Sequence, residues 1–286
     1  MQIKRYSLFS IALLGMLLTF NACKKNYESI ENIDEEKIKA YLTKNNIQAI
    51  KDSAGFYYQI LEPGTNGVML NKDSVFYTAT LKSLNNEVYY APTAYVFDAN
   101  YLGYVSPAAF RQAMYRINRG GKIRLIIPSY LAFGKNGQGN VPSNEIIVSD
   151  ISVFPETTLW QLEDRMITRF LADKNLTGFT RLPSGIYRNI STPGTGDVIR
   201  ATSTITVKYK GRLLDGTVFD ESGDTNLTQA LSTLISGWKK TLIGLQNGVK
   251  LRVFIPSDLG YGKTASGTIP ANSILDFDIE VTDVTE

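Results

Sequence analysis

The residue types that carry most enzyme chemistry are scarce in this sequence of 286 residues: it has no histidine and a single cysteine, Cys23. Without an imidazole, Ser-His-Asp and Cys-His catalysis, His-ligated zinc and a histidine pH switch are excluded. One thiol cannot make an intrachain disulfide or a multi-cysteine metal or iron–sulfur site. Aromatic rings, by contrast, are plentiful, with 2 Trp, 16 Tyr and 13 Phe. A lone Trp on a helix or Tyr on a strand is core far more often than site, so the elements that hold these rings decide what they can do.

Those elements are legible in the C-terminal part. Ile205, Val207 and Tyr209 alternate with Thr206, Lys208 and Lys210, a strand with one buried face. Asp215-Gly216 marks a turn before Val218-Phe219. Trp238, Leu242 and Leu245 are spaced as one stripe of a short helix ending near Gly248. Leu251, Val253 and Ile255 form another strand, stopped by Pro256. Leu275, Phe277, Ile279 and Val281 face inward on the last, with Asp276, Asp278 and Glu280 outward. The expectation is an α+β fold: an antiparallel sheet, solvated on one face, with one short helix on the other.

The same plan occurs twice. Gly55-Phe56-Tyr57 with Pro63-Gly64-Thr65 returns as Gly185-Ile186-Tyr187 with Pro193-Gly194-Thr195, an offset of 130. Ile127-Pro128-Ser129 returns as Ile255-Pro256-Ser257, and Val141-Pro142 as Ile269-Pro270, both offset by 128. The preceding helices, near Asp34–Asn45 and Thr158–Ala172, also correspond. This arrangement divides the chain into a leader (1–22), a linker and helix (23–54), a first domain (55–155), a linker helix (156–184) and a second domain (185–286). Trp160 in the linker helix is expected to pack, and the first helix either to lie on its own domain or to dimerise.

The leader has Lys4-Arg5, an apolar run from Leu8 to Phe20, then Asn21-Ala22-Cys23. A basic head, a short apolar core and small residues make a secretory signal, and the run is too short for a relaxed membrane span of roughly 20 residues. It resembles a bacterial lipoprotein signal, cleaved before Cys23, whose thiol takes the lipid. A bare N-terminal anchor helix is the alternative. The expected address is the cell envelope, lipid-anchored at the outer membrane and facing the periplasm. Two of the 30 Lys and Arg lie in the leader, against 27 Asp and Glu in the chain, so the mature protein is nearly neutral and no nucleic-acid binder.

The second domain resembles the FKBP-type peptidyl-prolyl cis-trans isomerases. The resemblance is carried by Val207-Lys208-Tyr209-Lys210-Gly211, Leu214-Asp215-Gly216-Thr217-Val218-Phe219-Asp220, Leu234-Ile235-Ser236-Gly237-Trp238, Ile255-Pro256-Ser257-Asp258-Leu259-Gly260-Tyr261-Gly262 and Leu275-Asp276-Phe277-Asp278. It implies a prolyl pocket with Trp238 as floor and Tyr209, Phe219, Ile235 and Phe277 as walls. It further implies that the Ile235 N–H and the Tyr261 hydroxyl hold substrate carbonyls, that Asp220 sits at the rim, and that Leu234 and Ile269 line the substrate. No metal and no cofactor are implied. Departures from the family pattern are the missing aromatic in Thr225-Asn226-Leu227-Thr228 and the missing arginine after Asp220.

Carried across the repeat, Ala79 stands for Tyr209, Tyr90 for Asp220, Phe110 for Trp238, Phe133 for Tyr261 and Ser149 for Phe277. The first domain thus reads as a degenerate FKBP-like unit that keeps the frame but not the same site. Its aromatic stretch, from Tyr89 through Tyr95 and Phe97 to Tyr104, either forms an exposed adhesive loop or packs its own insert. The functional expectation is an isomerase acting on proline-containing unfolded or exported polypeptides. The competing expectation is a non-catalytic peptide-binding or chaperone module of the envelope. The sequence leaves oligomeric state open.

Overall fold

The computed structural model describes residues 28–286; the leader and Cys23 lie outside the described residues. The chain enters through α1 (Ile30–Lys44) and lays down β1 (Ile50–Lys51), β2 (Tyr57–Glu62), β3 (Ser74–Ala79), β4 (Leu81–Lys82), β5 (Val88–Tyr90) and β6 (Asp98–Tyr101). Helix α2 (Ala108–Met114), β7 (Lys122–Ile127) and β8 (Ile147–Val153) complete the first domain. Helix α3 (Leu159–Asp173) leads to β9 (Thr180–Arg181), β10 (Tyr187–Thr192), β11 (Thr204–Leu213), β12 (Val218–Glu221) and β13 (Leu227–Ala230). Helix α4 (Ser236–Leu242), β14 (Lys250–Ile255) and β15 (Leu275–Thr285) close the second.

Both sheets are antiparallel and have one topology. The first runs β1-β2-β7-β8-β3-β6, with β4 joining β8 to β5; the second runs β9-β10-β14-β15-β11-β12, with β13 on β11. Register makes the repeat exact at the level of single residues. Ala79 pairs with Ile151 as Tyr209 pairs with Ile279, Leu125 with Ser149 as Val253 with Phe277, and Leu81 with Tyr90 as Gly211 with Asp220. One buried cluster per domain fills the space between sheet and short helix, around Phe110 and Leu125 in the first and Trp238 and Val253 in the second.

Three details differ from the sequence reading. Helix α4 ends at Leu242, because Gly244 turns the chain at φ 86°; Leu245 still packs on the core, but from the loop. The outer sheet face is not wholly solvated. Ile126 and Phe254, outward on β7 and β14, are fully buried under α1 and α3 respectively. Trp160 is 59% exposed, since it lies about 200° around the helix from the buried Leu162.

The two preceding helices are fixed by the same device. Tyr57 donates to Glu35 of α1 at 2.8 Å, and Tyr187 donates to Asp164 of α3 at 2.9 Å. Asn46 (φ 51°) and Asn175 (φ 52°) end the helices in the left-handed conformation, which asparagine tolerates better than most residues. Helix α1 thus packs on its own domain. Helix α3 packs on both: Leu162, Met166 and Phe170 share one cluster with Phe76 and Phe97 of the first domain and Tyr187, Phe254 and Ile274 of the second.

Candidate active site

Four elements of the second domain bring the expected rings together. Strand β15 supplies Phe277 at the centre, and Trp238 projects from α4 to meet it edge-on, with centroids 5.3 Å apart at 87°. Phe219 of β12 stands against Phe277 at 5.4 Å and 88°. Tyr209 of β11 leans on Trp238 at 5.5 Å and 82°, and on Phe277 at 6.4 Å. Edge-to-face contacts place the positive rim of one ring on the negative face of the next. Trp238 and Phe277 are buried, Tyr209 and Phe219 half-buried, so the set forms a wall that opens outward.

Close approach of the rings depends on Gly211. A Cβ there would lie 2.6 Å from Phe277 and 2.7 Å from Phe219, inside van der Waals contact. Gly237 does the same below Trp238, where a Cβ would meet Ile255 at 2.3 Å. Both glycines serve shape.

At the rim the Tyr209 hydroxyl donates to Asp220 at 2.7 Å. Burial first, and then the Asp220 carboxylate, push the Tyr209 phenol well above its ordinary range. Burial and the same carboxylate also raise Tyr261, whose ring is 41% exposed. Tyr209 is therefore a fixed donor to Asp220. Leu227, where the family pattern has a ring, packs into the core cluster beside half-buried Leu234 and Ile235 and buried Ile269.

Ile235 precedes α4 with extended backbone, at φ −56° and ψ 152°. Its carbonyl accepts from Trp238 N–H, whereas no acceptor is paired with its own N–H among the described residues. The equivalent residue before α2 is Pro107, which has no N–H to offer. Sequence reasoning missed this difference, although Pro107 stands at the repeat offset from Ile235.

A hollow is nevertheless present at the matching place in the first domain. It encloses about 270 Å³ between Tyr77, Leu81, Tyr90, Phe110, Phe133 and Asp98, with Ala79 and Pro107 also on its wall. Asp98 is a second residue that the sequence reading did not single out. Of the aromatic stretch, Phe97 is buried and Tyr95 packs on Phe170 at 5.5 Å, while Tyr101 and Tyr104 are 53% and 76% exposed.

An antiparallel sheet curled round one short helix, with a cluster of aromatic rings against that helix, defines the FKBP-like class of fold. Residues 196–282 match the family described as FKBP-type peptidyl-prolyl cis-trans isomerase. FkpA, an FKBP-type peptidyl-prolyl cis-trans isomerase of Buchnera aphidicola subsp. Schizaphis graminum, is 40% identical over 112 residues, covering 38% of this chain and 44% of that protein. The outer membrane protein MIP of Legionella longbeachae is 39% identical over 116 residues, covering 40% of this chain and 50% of that protein. The crystal structure of FkpA from Escherichia coli aligns at 31% identity over 44% of this chain and 59% of that one, with a TM-score of 0.40. The chain spans about half the length of the curated relatives it matches. The match to this family falls entirely within the second domain.

Proposed function

We propose that the second domain catalyses cis–trans rotation about X-Pro bonds in exported polypeptides. The observation that carries this reading is the convergence of Tyr209, Phe219, Trp238 and Phe277 on one another, close in sequence to an Ile235 N–H that is unpaired among the described residues. Amide resonance opposes the rotation with a barrier of roughly 18–20 kcal/mol. Twisting the bond abolishes the charge separation of the planar imide, so a dry aromatic wall favours the twisted form over the planar one. Nothing need be protonated or attacked. The proline ring would rest on Trp238, and the Ile235 N–H and Tyr261 hydroxyl would hold the flanking carbonyls.

The remaining features of the reading concern place and division of labour. Cys23 would carry a lipid that holds the protein at the outer membrane, and the first domain would not catalyse, because Pro107 lacks the donor. Among the described residues no helix is long and apolar enough to cross a membrane. A protease-coupled assay on an Ala-Leu-Pro-Phe peptide tests the activity. Acceleration over buffer, lost in Trp238→Ala, supports it; a rate equal to buffer removes the enzyme and leaves a peptide-binding module.

A further inference from the structure

The hollow of the first domain has exchanged one kind of chemistry for another. Four groups that shape the second domain's site are gone: Tyr209 is Ala79, Asp220 is Tyr90, Phe277 is Ser149, and the Ile235 N–H is the ring nitrogen of Pro107. In return, a carboxylate has moved onto a different strand. Tyr77 of β3 lies opposite Asp98 of β6, where the second domain has the apolar pair Val207 and Leu227. Residues directly opposite on an antiparallel pair share a face, and Tyr77 is buried on the core side.

Asp98 consequently lines the hollow while remaining exposed to solvent. No lysine or arginine lines it with the aspartate. Partial desolvation by the surrounding protein pushes the Asp98 carboxyl up, with no basic neighbour acting in the other direction. The residues Tyr77, Tyr90, Phe110 and Phe133 line the same hollow. A carboxylate that shares a hollow with aromatic rings attracts a cation twice, through its charge and through the ring quadrupoles. The volume, about 270 Å³, falls just below the roughly 300 Å³ at which drug-sized pockets begin, the scale of a single side chain.

We infer that the first domain's hollow is a second polypeptide-binding site, which takes the lysine or arginine side chain of an extended segment rather than a proline. The cationic head pairs with Asp98 while its methylene stem lies along Phe110 and Leu81. This site stands apart from the isomerase reading, since none of its residues belongs to the second domain.

The test uses the full chain and fluorescent proline-free peptides that differ only in carrying one lysine or one norleucine. The lysine peptide is expected to bind at least about tenfold more tightly, a difference of about 1.4 kcal/mol, and to weaken with added salt. Asp98→Asn, which keeps shape and removes charge, should erase the preference, and Tyr90→Ala at the exposed rim should weaken it; Trp238→Ala should leave it unchanged. Equal binding of the two peptides, no binding of either, a preference that survives Asp98→Asn, or one that disappears with Trp238→Ala would each overturn the assignment. Thermal midpoints of the variants show that each is folded when it is measured.

Discussion

Glu163 does for the second domain what Asp34 does for the first. Asp34 accepts from the Ser129 N–H and hydroxyl at 2.8 and 2.7 Å, and Glu163 accepts from the Ser257 N–H at 3.1 Å. Both acids are buried, and each ties a preceding helix to the chain just after a core strand. Burial raises the Glu163 carboxyl to about 7, against the partial offset of the Ser257 bonds.

That relationship gives a pH dependence with a definite sign. A carboxyl raised on folding keeps its proton in the native state where the unfolded chain has released it, so stability falls as pH rises from about 4.5 to about 7. Glu163→Gln should flatten this window and, above pH 7, exceed the parent by at most about 3 kcal/mol. Urea unfolding at pH 5 and pH 8 measures it. A parent protein that gains stability across the same window, or a variant with an unchanged slope, contradicts the assignment.

The Tyr209–Asp220 pair predicts a different profile. Burial and Asp220 both hold the phenol protonated, so activity should show no Tyr209 titration between about pH 6 and pH 9. Tyr209→Phe keeps the ring against Trp238 and removes only the rim hydrogen bond. The expected loss in kcat/KM is about three- to tenfold, in line with one exposed hydrogen bond of about 0.5–1.5 kcal/mol. A variant as active as the parent would reduce the pair to a surface contact.

Gly211 tests whether ring spacing matters. Gly211→Ala puts a methyl 2.6 Å from Phe277 and 2.7 Å from Phe219, so both rings must shift. Overpacking of this kind costs about 1–3 kcal/mol of stability, and peptidyl-prolyl turnover should fall more than substrate affinity for a prolyl peptide. Unchanged kcat in a destabilised protein would show that the rings tolerate displacement.

The repeated plan was legible because hydrophobic alternation and turn residues recur at fixed offsets, and backbone register follows from both. The rings of the second domain were legible as a set only through the family resemblance of the motifs that hold them. What escaped was anything set by tertiary neighbours. Phe254 reads as outward on its strand, yet α3 buries it; Trp160 reads as apolar, yet it falls on the far side of α3. The end of α4 was misjudged because Leu245 packs from a loop. Pro107 and Asp98 had a sequence signal, their alignment with Ile235 and Leu227, but neither is aromatic, and a search for missing rings passes over a missing N–H and an added carboxylate.

Phe170 joins the two domains and gives the last prediction. Its ring stands edge-on to Tyr95 of the first domain at 5.5 Å and to Phe254 of the second at 5.4 Å. Tyr95 is held at φ 69° to make that contact, a left-handed conformation that costs a bulky residue energy. Thr93 also reaches across, donating to Asp215 at 3.4 Å. Removing a buried phenylalanine costs about 3–5 kcal/mol, and here the loss falls on both neighbours. Calorimetry of the parent should therefore show one cooperative transition, and Phe170→Ala should lower it and split it into two. Two transitions already present in the parent, with the upper one unmoved by the substitution, would mean that α3 tethers the domains without coupling them.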